Sequence, residues 1–226
     1  MKIMKQPYKI ILPLICAIVI GISCKKNDYL TDSGIHSAIT PLSNYDYLKA
    51  NSWNLFDTLI MVIDRYKLKD EFNSANTVFA PTDYSIARYM TDRLNERLAT
   101  SSTARYSLDT LFKYVNVDSI RQYMFNAKIT LPELQENETQ LYTSLGQTRM
   151  GAFKELQLAN QYTAQSNNRT YLLYLVRVRG ALDVPGVLPP LGEADTRVLC
   201  QTTGILTSNG SKVLHALSNQ HVFIRF

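Results

Sequence analysis

The sequence of 226 residues contains little of the chemistry on which most enzymes and metalloproteins depend. Its only histidines are His36, His215 and His221, and their wide separation is not typical of a zinc site. It has no Gly-rich phosphate loop, no G-x-S-x-G nucleophile motif and no closely spaced pair of cysteines. Neighbouring acids such as Glu133 and Glu136 fall in polar stretches, which favours solvent exposure over a catalytic dyad. We therefore expect no metal, no cofactor and no catalytic activity.

A long hydrophobic run is also missing. The apolar stretch at residues 10–22 is too short for a membrane-spanning helix, which needs about 20 apolar residues. Three lysines precede it and Ser23-Cys24 follows, a pattern typical of a secretory signal. A cysteine at this boundary resembles a bacterial lipoprotein signal, in which the cysteine is lipidated and becomes the first mature residue. We expect residues 1–23 to be a signal peptide and Cys24 to be lipidated; plain secretion and an uncleaved anchor are the alternatives.

This resemblance implies a location in the cell envelope, as an outer-membrane lipoprotein that faces the cell surface or the periplasm. It also changes the meaning of the net charge. Removing the three lysines of the signal lowers the formal net charge from +5 to +2. Since a nucleic-acid-binding domain carries a clustered basic face, the remaining charge predicts no nucleic-acid partner.

Only one cysteine is left once Cys16 is removed with the signal and Cys24 carries the lipid. Because the remaining cysteine, Cys200, has no partner, the mature chain has no intrachain disulfide. Cys200 lies in the apolar run 198–200, so we expect it to be a buried structural thiol. The alternative is a nucleophile, which would need His215 or His221 beside it.

The first half of the chain has helical periodicity. After a polar segment at 24–50, which we interpret as a tether that becomes ordered toward its end, Ser52 is a candidate cap for a first helix. Further helices are predicted after Thr82 or Asp83, after Ser107 and after residue 118. For Trp53, at the entrance to the first helix, we favour a packing role over a role as a ligand platform.

The second half has the shorter period of strands. Predicted strands cover residues 77–80, 141–145, 148–153, 170–178, 198–206, 212–217 and 221–226. The run 171–176 is almost entirely apolar, which predicts a central strand that is covered on both faces. Helices early and strands late indicate an α+β fold with a mostly antiparallel sheet.

Two segments resemble the signatures of the fasciclin domain. The first signature segment is Thr77-Val78-Phe79-Ala80-Pro81-Thr82-Asp83, and the second is residues 207–215, with a Ser-Asn-Gly turn and then hydrophobic strand residues followed by a histidine. The resemblance implies a single fasciclin-like domain over residues 51–226. The signature residues are Thr77, Phe79, Ala80, Pro81, Thr82, Asp83, Asn209, Gly210 and His215.

We expect structural roles for these residues. Thr82 or Asp83 is expected to cap the helix that follows, Phe79 to fill the core, and Asn209 with Gly210 to form a positive-φ turn. His215 is expected to be a satisfied structural histidine. Many fasciclin domains have a Tyr-His pair in mid-domain that is tied to adhesion; here Tyr123-Met124 stands in its place, so that activity is not carried over.

These expectations lead to a non-catalytic, lipid-anchored envelope protein that binds a surface protein or glycan in adhesion or assembly. The alternative is an accessory glycan-capture component of a nutrient-uptake system. The 14 tyrosines could form a stacking surface, although we favour half-buried packing positions for most of them. The Pro/Gly-rich connection 183–195 is the expected location of a binding surface.

Overall fold

The structure is a computed structural model that describes residues 38–157, 169–184 and 186–226. The predicted signal peptide and Cys24 lie outside these residues. Residues 38–226 form one compact unit. In the described part of the chain, no helix combines the length and apolar character needed to cross a bilayer.

Helices dominate the first half of the described chain and strands the second. The helices are α1 (Asn44–Lys49), α2 (Asp57–Arg65), α3 (Lys69–Ser74), α4 (Asp83–Leu98), α5 (Leu108–Tyr114) and α6 (Val117–Arg121). The strands are β1 (Thr77–Ala80), β2 (Met124–Phe125), β3 (Thr139–Thr143), β4 (Arg149–Gln157), β5 (Thr170–Arg177), β6 (Thr196–Thr207) and β7 (Lys212–Leu217). This order confirms the predicted α+β fold.

The strands form a mixed sheet in the order β2-β1-β7-β6-β5-β4-β3. Only β1 and β7 run parallel; the other neighbouring pairs in this order are antiparallel. Strand β6 connects the two halves of the sheet, because residues 196–199 pair with β5 and the rest of the strand pairs with β7. Its register shifts between Cys200 and Ile205, where Gly204 has a φ of +73°, so the strand is irregular where it changes partner.

The main core lies between the helices and the sheet. Its largest fully buried side chains include Phe79, Phe125 and Tyr123. A second, smaller cluster contains Phe153 and Val176, while the neighbouring side chain Leu175 belongs to the main core. Because successive side chains of a strand point to opposite faces, β5 is covered on both faces, as its apolar sequence predicts.

Residues 38–50, the last part of the predicted tether, belong to the same compact unit as residues 51–226. Helix α1 is fixed by buried contacts: Tyr45 donates from its hydroxyl to the Asp64 carboxylate, and the Thr207 hydroxyl donates to the buried Asn44 side chain. Residues 24–37 of the predicted tether lie outside the described residues.

The predicted strand at 221–226 is wrong. These residues form a tight turn in which Val222 and Arg225 make an isolated bridge and Ile224 has a φ of +55°. The apolar residues that alternate in 221–226 led to the strand prediction. In the structure, Phe223 is buried because it inserts into the core from the turn. The predicted packing of Trp53 is also wrong, since 80% of this side chain is exposed.

Candidate functional site

The two signature segments lie side by side in the sheet. Strands β1 and β7 pair in parallel, and the register places Phe79 directly opposite His215. The two rings stack with their centroids 4.8 Å apart, and Phe125 packs edge-on against Phe79 at 5.6 Å. Two segments that are distant in the sequence thus form one buried contact at the centre of the fold.

His215 uses both of its ring nitrogens within the protein. Its Nδ1 accepts from the backbone N–H of Gly204 at 3.1 Å, and its Nε2 donates to the carbonyl of Ile129 at 3.0 Å. Burial lowers the pKa of His215 to about 4, so the ring is neutral at pH 7. With no free nitrogen, His215 cannot bind a ligand or transfer a proton without breaking the fold. This geometry supports the structural role expected for it.

Thr77 and Pro81 fix the two ends of β1. The buried hydroxyl of Thr77 donates to the carbonyl of Ala127 and accepts from the N–H of Ile129, both at 2.8 Å. Ala80 is fully buried, and Pro81 ends the strand because it has no N–H to donate. These residues hold the strand in place and present no group to solvent.

Asp83 caps a different helix from the one predicted. Its carboxylate accepts from the N–H groups of Thr58 at 3.0 Å and Leu59 at 3.2 Å, at the start of α2. Thr82 is the cap position of α4, but its hydroxyl accepts from no backbone N–H of that helix and donates to the Asn219 side chain at 3.0 Å. The predicted cap Ser52 is wrong, because α2 begins at Asp57 and its cap position is Phe56. The signature Thr-Asp pair connects α2, α4 and the C-terminal segment.

The second signature turn has the predicted backbone. Asn209 has a φ of +57° and Gly210 a φ of +87°, and the Gly210 N–H donates to the Thr207 carbonyl at 3.0 Å. This positive-φ geometry reverses the chain between β6 and β7. The turn explains why Asn209 and Gly210 occur at these positions, and it does not indicate a binding or catalytic site there.

Tyr123 has a histidine partner that the sequence does not place beside it. Its hydroxyl lies 2.7 Å from Nε2 of His221, and it also accepts from the backbone N–H of Ile224 at 2.7 Å. Burial raises the pKa of Tyr123 and lowers that of His221 to about 4. The partner comes from a position 98 residues downstream, so no local pattern could have identified this pair.

Cys200 and the histidines do not form a catalytic group in this structure. Cys200 is buried, and burial raises the pKa of its thiol, which suppresses the reactive thiolate. The hydrogen-bond partners of His215 and His221 are those described above and do not include Cys200. Within residues 38–157, 169–184 and 186–226, no three His, Cys, Asp or Glu side chains are grouped to hold a metal ion.

The connection before β6 exposes apolar side chains. Val184 is 59% exposed, Val187 62%, Leu188 94% and Leu191 105%, and we call these four residues the apolar loop surface. Isolated exposed apolar residues are ordinary, but four of them within eight positions of one loop make this surface a candidate for interaction.

Two aspartates close the ends of this loop. The Asp183 N–H donates to the Asp195 carboxylate at 3.1 Å, and the Asp195 N–H donates to the Asp183 carboxylate at 2.9 Å. The Asp195 carboxylate also accepts from the N–H of Arg179 at 3.0 Å. The loop is therefore fixed at its base, which reduces the entropy that a partner must remove on binding.

Most tyrosines that the structure describes are buried or half-buried, as expected, and Tyr8, Tyr29 and Tyr162 lie outside the described residues. Tyr45, Tyr89 and Tyr123 are buried, whereas Tyr84 is 55% exposed and Tyr114 is 58% exposed.

One group of tyrosines lies in a cleft with arginines. This Tyr-Arg cleft has a volume of about 400 Å³ and is lined by Tyr89, Tyr106, Tyr114, Arg93, Arg97, Glu96 and Thr100. The Arg97 guanidinium lies 5.0 Å from the ring centroid of Tyr106 and 5.2 Å from that of Tyr114. Nε of Arg93 and the hydroxyl of Tyr106 are buried without a hydrogen-bond partner. The lining residues of this cleft have no regular spacing in the sequence, so no sequence pattern predicts the cleft.

No protein-family model matches the chain, and no curated protein matches it. The fasciclin resemblance therefore remains a proposal that rests on the two signature segments and their geometry.

Proposed function

We propose that this protein is a lipid-anchored component of the bacterial cell envelope, whose fasciclin-like domain binds a protein partner in adhesion or surface assembly. The anchor is Cys24 and the location is the outer membrane. The domain acts by binding and not by catalysis. The observation that carries the proposal is the apolar loop surface on its closed loop.

The chemistry of the loop favours a protein over a lipid surface as the partner. The charged residues of the segment 183–195 are Asp183, Glu193 and Asp195, all of them acidic. An anionic membrane surface attracts basic residues and repels acidic ones, so this loop is poorly suited to it. A protein interface, by contrast, has an apolar centre with a polar rim, and the four exposed side chains with acidic neighbours match that arrangement.

The test is crosslinking on intact cells, comparing the wild-type protein with a Leu188→Ser/Leu191→Ser double variant. We expect a discrete crosslinked partner with the wild type and loss of that partner with the variant. A matched control is Met61→Ser, which alters an exposed apolar residue on α2, and it should keep the partner. An identical crosslinking pattern for all three proteins would refute the loop as the binding surface.

The anchor is tested separately by Cys24→Ala. This variant should move the protein from the membrane fraction to the soluble fraction, and an unchanged distribution would refute lipidation at Cys24. Protease added to intact cells then distinguishes the two sides of the outer membrane, because a surface-exposed domain is cleaved and a periplasmic one is protected.

A second candidate function is glycan capture for a nutrient-uptake system, and the Tyr-Arg cleft favours it. Burial raises the pKa of Tyr106 to about 12, so its hydroxyl remains a donor at neutral pH. Sugar hydroxyls could accept from Tyr106 and Arg93 if these side chains shift toward the cleft, while the exposed Tyr114 ring offers a stacking face.

A glycan panel tests this candidate. We expect weak binding that Tyr114→Ala abolishes and that Tyr84→Ala leaves unchanged, since Tyr84 is a tyrosine of similar exposure on α4 that does not line the cleft. Failure of the wild-type protein on a broad panel, or equal binding by both variants, would refute glycan capture at this cleft. Either result leaves the protein-partner proposal intact, because the apolar loop surface is not involved.

A further inference from the structure

A cleft of about 420 Å³ lies where β5 ends beside the C-terminal segment, and we call it the two-arginine cleft. Its volume is within the range of small-molecule sites. The charged side chains of its lining are all arginines. Its lining residues are Gln122, Arg177, Arg179, Ile224, Arg225 and Phe226.

The strand geometry places Arg177 at the edge of the main core. Leu173 and Leu175 belong to that core, and side chains two positions apart in a strand share a face, so Arg177 continues the same row. Arg177 is the register partner of Met150, another core residue, and its Nη1 lies 4.0 Å from Sδ of Met150. The guanidinium of Arg177 therefore lies on the side of the sheet that faces the main core.

Arg179 lines the same cleft through its contact with the C-terminal segment. Its guanidinium donates to the main-chain oxygen of Phe226, whose ring centroid lies 5.6 Å from that of the core residue Tyr123. Burial and, in addition, the charge of Arg179 lower the pKa of Arg177. Two positive charges thus lie close together on one side of the sheet.

Within the described residues, no Asp or Glu side chain forms an ion pair with either of these two arginines. Arg225, the third arginine of the lining, is different because it pairs with Asp92 at 3.5 Å and with Glu96 at 2.6 Å. The Asp195 carboxylate accepts from the backbone N–H of Arg179. Like charges that lie close together repel each other, so an anion bound between the two guanidiniums should stabilise the cleft.

Gln122 adds a hydrogen-bond donor that lacks an acceptor. It is 7% exposed, and within the described chain its Nε2 has no hydrogen-bond partner. The side chain lies beside the Tyr123 hydroxyl, which already accepts from the N–H of Ile224. Since an amide nitrogen carries two N–H groups, at least one of them is left without an acceptor. An oxygen of a bound ligand can accept from it once the flexible side chain rotates toward the cleft.

These groups are better suited to a phosphate ester than to a carboxylate. A carboxylate has one charge and two oxygens, which a single guanidinium already satisfies in a bidentate pair. A phosphomonoester has three terminal oxygens and a charge of about −1.5 to −2 at pH 7, which matches two guanidiniums. The cleft is larger than a phosphate ion requires, so it also has room for the rest of a small ester.

We propose that the two-arginine cleft binds the phosphate group of a phosphomonoester, which accepts hydrogen bonds from the guanidiniums of Arg177 and Arg179. The phosphate belongs either to a small soluble ester or to a lipid headgroup. The cleft shares no residue with the apolar loop surface or with the Tyr-Arg cleft. Its failure would therefore leave both proposed functions intact, and their failure would not affect it.

The test titrates glucose 6-phosphate, glucose and citrate by NMR into the chain from residue 24 onward that carries Cys24→Ala. This chain keeps the whole compact unit, and about 0.15 M salt screens its exposed charges. We expect glucose 6-phosphate to shift the backbone amide signal of Ile224 and the side-chain amide signal of Gln122, with a dissociation constant on the order of a millimolar. Glucose should not bind, and citrate should bind at least about tenfold more weakly.

Three results of these titrations would overturn the proposal. The first is the absence of a saturable shift with glucose 6-phosphate. The second is binding of glucose as tight as that of its phosphate. The third is binding of citrate as tight as that of glucose 6-phosphate, which would show that the cleft attracts any anion of sufficient charge.

Variants identify the residue that recognises the phosphate. Arg177→Gln should weaken binding of glucose 6-phosphate about tenfold. Its urea midpoint should match that of the wild type, because the guanidinium has no ion-pair partner among the described residues. If this variant proves unstable, Arg177→Lys replaces it and should also weaken binding, since it keeps the charge but lacks the planar fork. Binding like that of the wild type in the stable variant would overturn the proposal.

The matched control is Arg197→Gln, which changes the net charge by the same amount. Arg197 lies on the neighbouring strand β6, and its guanidinium lies 3.8 Å from the ring centroid of Phe153, a member of the second cluster. Arg197 does not line the two-arginine cleft, so this variant should bind glucose 6-phosphate like the wild type. A loss of affinity equal to that of Arg177→Gln would show that net charge alone controls binding and would overturn the proposal.

Phosphatidylcholine vesicles with and without phosphatidic acid distinguish the two sources of phosphate. Cosedimentation only with phosphatidic acid, lost in Arg177→Gln, would support the site and assign the phosphate to a lipid headgroup. Binding of glucose 6-phosphate without cosedimentation would support the site and assign the phosphate to a soluble ester. Cosedimentation that Arg177→Gln leaves unchanged, together with no binding of glucose 6-phosphate, would overturn the proposal.

Discussion

The signature strands and the apolar loop surface place apolar side chains in opposite environments. In β1 and β7, Phe79 and the facing His215 are fully buried, and both nitrogens of His215 have protein partners. In the loop, Leu188 and Leu191 are almost completely exposed, and Asp183 and Asp195 hold the two ends of the loop together. The first region stabilises the fold, whereas the second adds little to it and leaves its apolar side chains exposed.

This difference explains why the recognisable residues and the proposed binding residues do not coincide. A motif such as the first signature segment is recognisable because each position has a specific structural role. Phe79 supplies a buried ring, Pro81 ends a strand and Asp83 caps a helix. An exposed apolar loop has no such local constraint, and many sequences serve equally well. Motif residues therefore identify the architecture, and the surface that binds must be found from exposure and charge.

Phe79→Ala should have the largest effect on the region that stabilises the fold. Removing a fully buried ring that contacts both His215 and Phe125 should lower the free energy of unfolding by about 3–5 kcal/mol. Urea unfolding followed by circular dichroism measures this change. Leu188→Ala is the matched control and should change it by less than about 0.5 kcal/mol. Similar values for the two variants would contradict the proposed division of roles.

Acid should destabilise the same core through its two neutral histidines. The pKa values of His215 and His221 are both about 4 in the folded protein and about 6.5 when unfolded. Between these values the unfolded chain binds more protons, so stability is complete above pH 6.5 and falls as the pH decreases toward 4. Each histidine contributes about 1.4 kcal/mol per pH unit in this window.

The pH dependence of urea unfolding for the wild type and for His221→Gln isolates this contribution. Exposed carboxylates titrate in both proteins, so the difference between the two curves reports His221. The variant should lose roughly half of the histidine contribution to the slope, since His215 remains. Parallel curves between pH 6.5 and 4 would show that His221 is not held neutral.

Local sequence patterns predicted the signature strands well. The strands at 77–80 and 212–217 have the predicted bounds, since each is an apolar run next to a strong terminating signal: Pro81 after the first and the turn at Asn209-Gly210 before the second. The α+β order and four further strands were also predicted, with ends that differ by a few residues. These features depend on neighbouring residues only.

Contacts between distant segments could not be predicted. Strand β2 was assigned to a helix because the residues after Asp118 keep helical spacing, yet Met124 and Phe125 pair with the open edge of β1. The Tyr123-His221 pair depends on where the last residues fold back, whereas the alternation of apolar residues in 221–226 predicts a strand there. The sequence predicts that Asp83 caps α4, the helix that it begins. In the structure Asp83 caps α2, because folding brings the start of α2 next to it, and no local sequence pattern indicates that contact.

Asp83→Ala should have an intermediate effect, because it removes a cap that connects two helices and leaves the buried rings unchanged. Losing the carboxylate leaves the Thr58 and Leu59 N–H groups at the start of α2 without their acceptor, which should cost about 1–2 kcal/mol. The matched control is Asp109→Ala, an exposed acid in the first turn of α5, and should cost less than about 0.5 kcal/mol. A cost for Asp83→Ala no greater than for the control would show that the α2 cap does not stabilise the fold.

The smallest change in stability is expected in the loop, where the change in function should be largest. Leu188→Ser/Leu191→Ser replaces two side chains that are already in water, so the urea midpoint should shift by less than about 0.5 kcal/mol in unfolding free energy. The same variant should lose its crosslinked partner on intact cells. A loss of stability comparable to that of Asp83→Ala would mean that the loop packs against part of the chain in solution. The exposed surface would then be scaffold, and the contrast between the two regions would no longer hold.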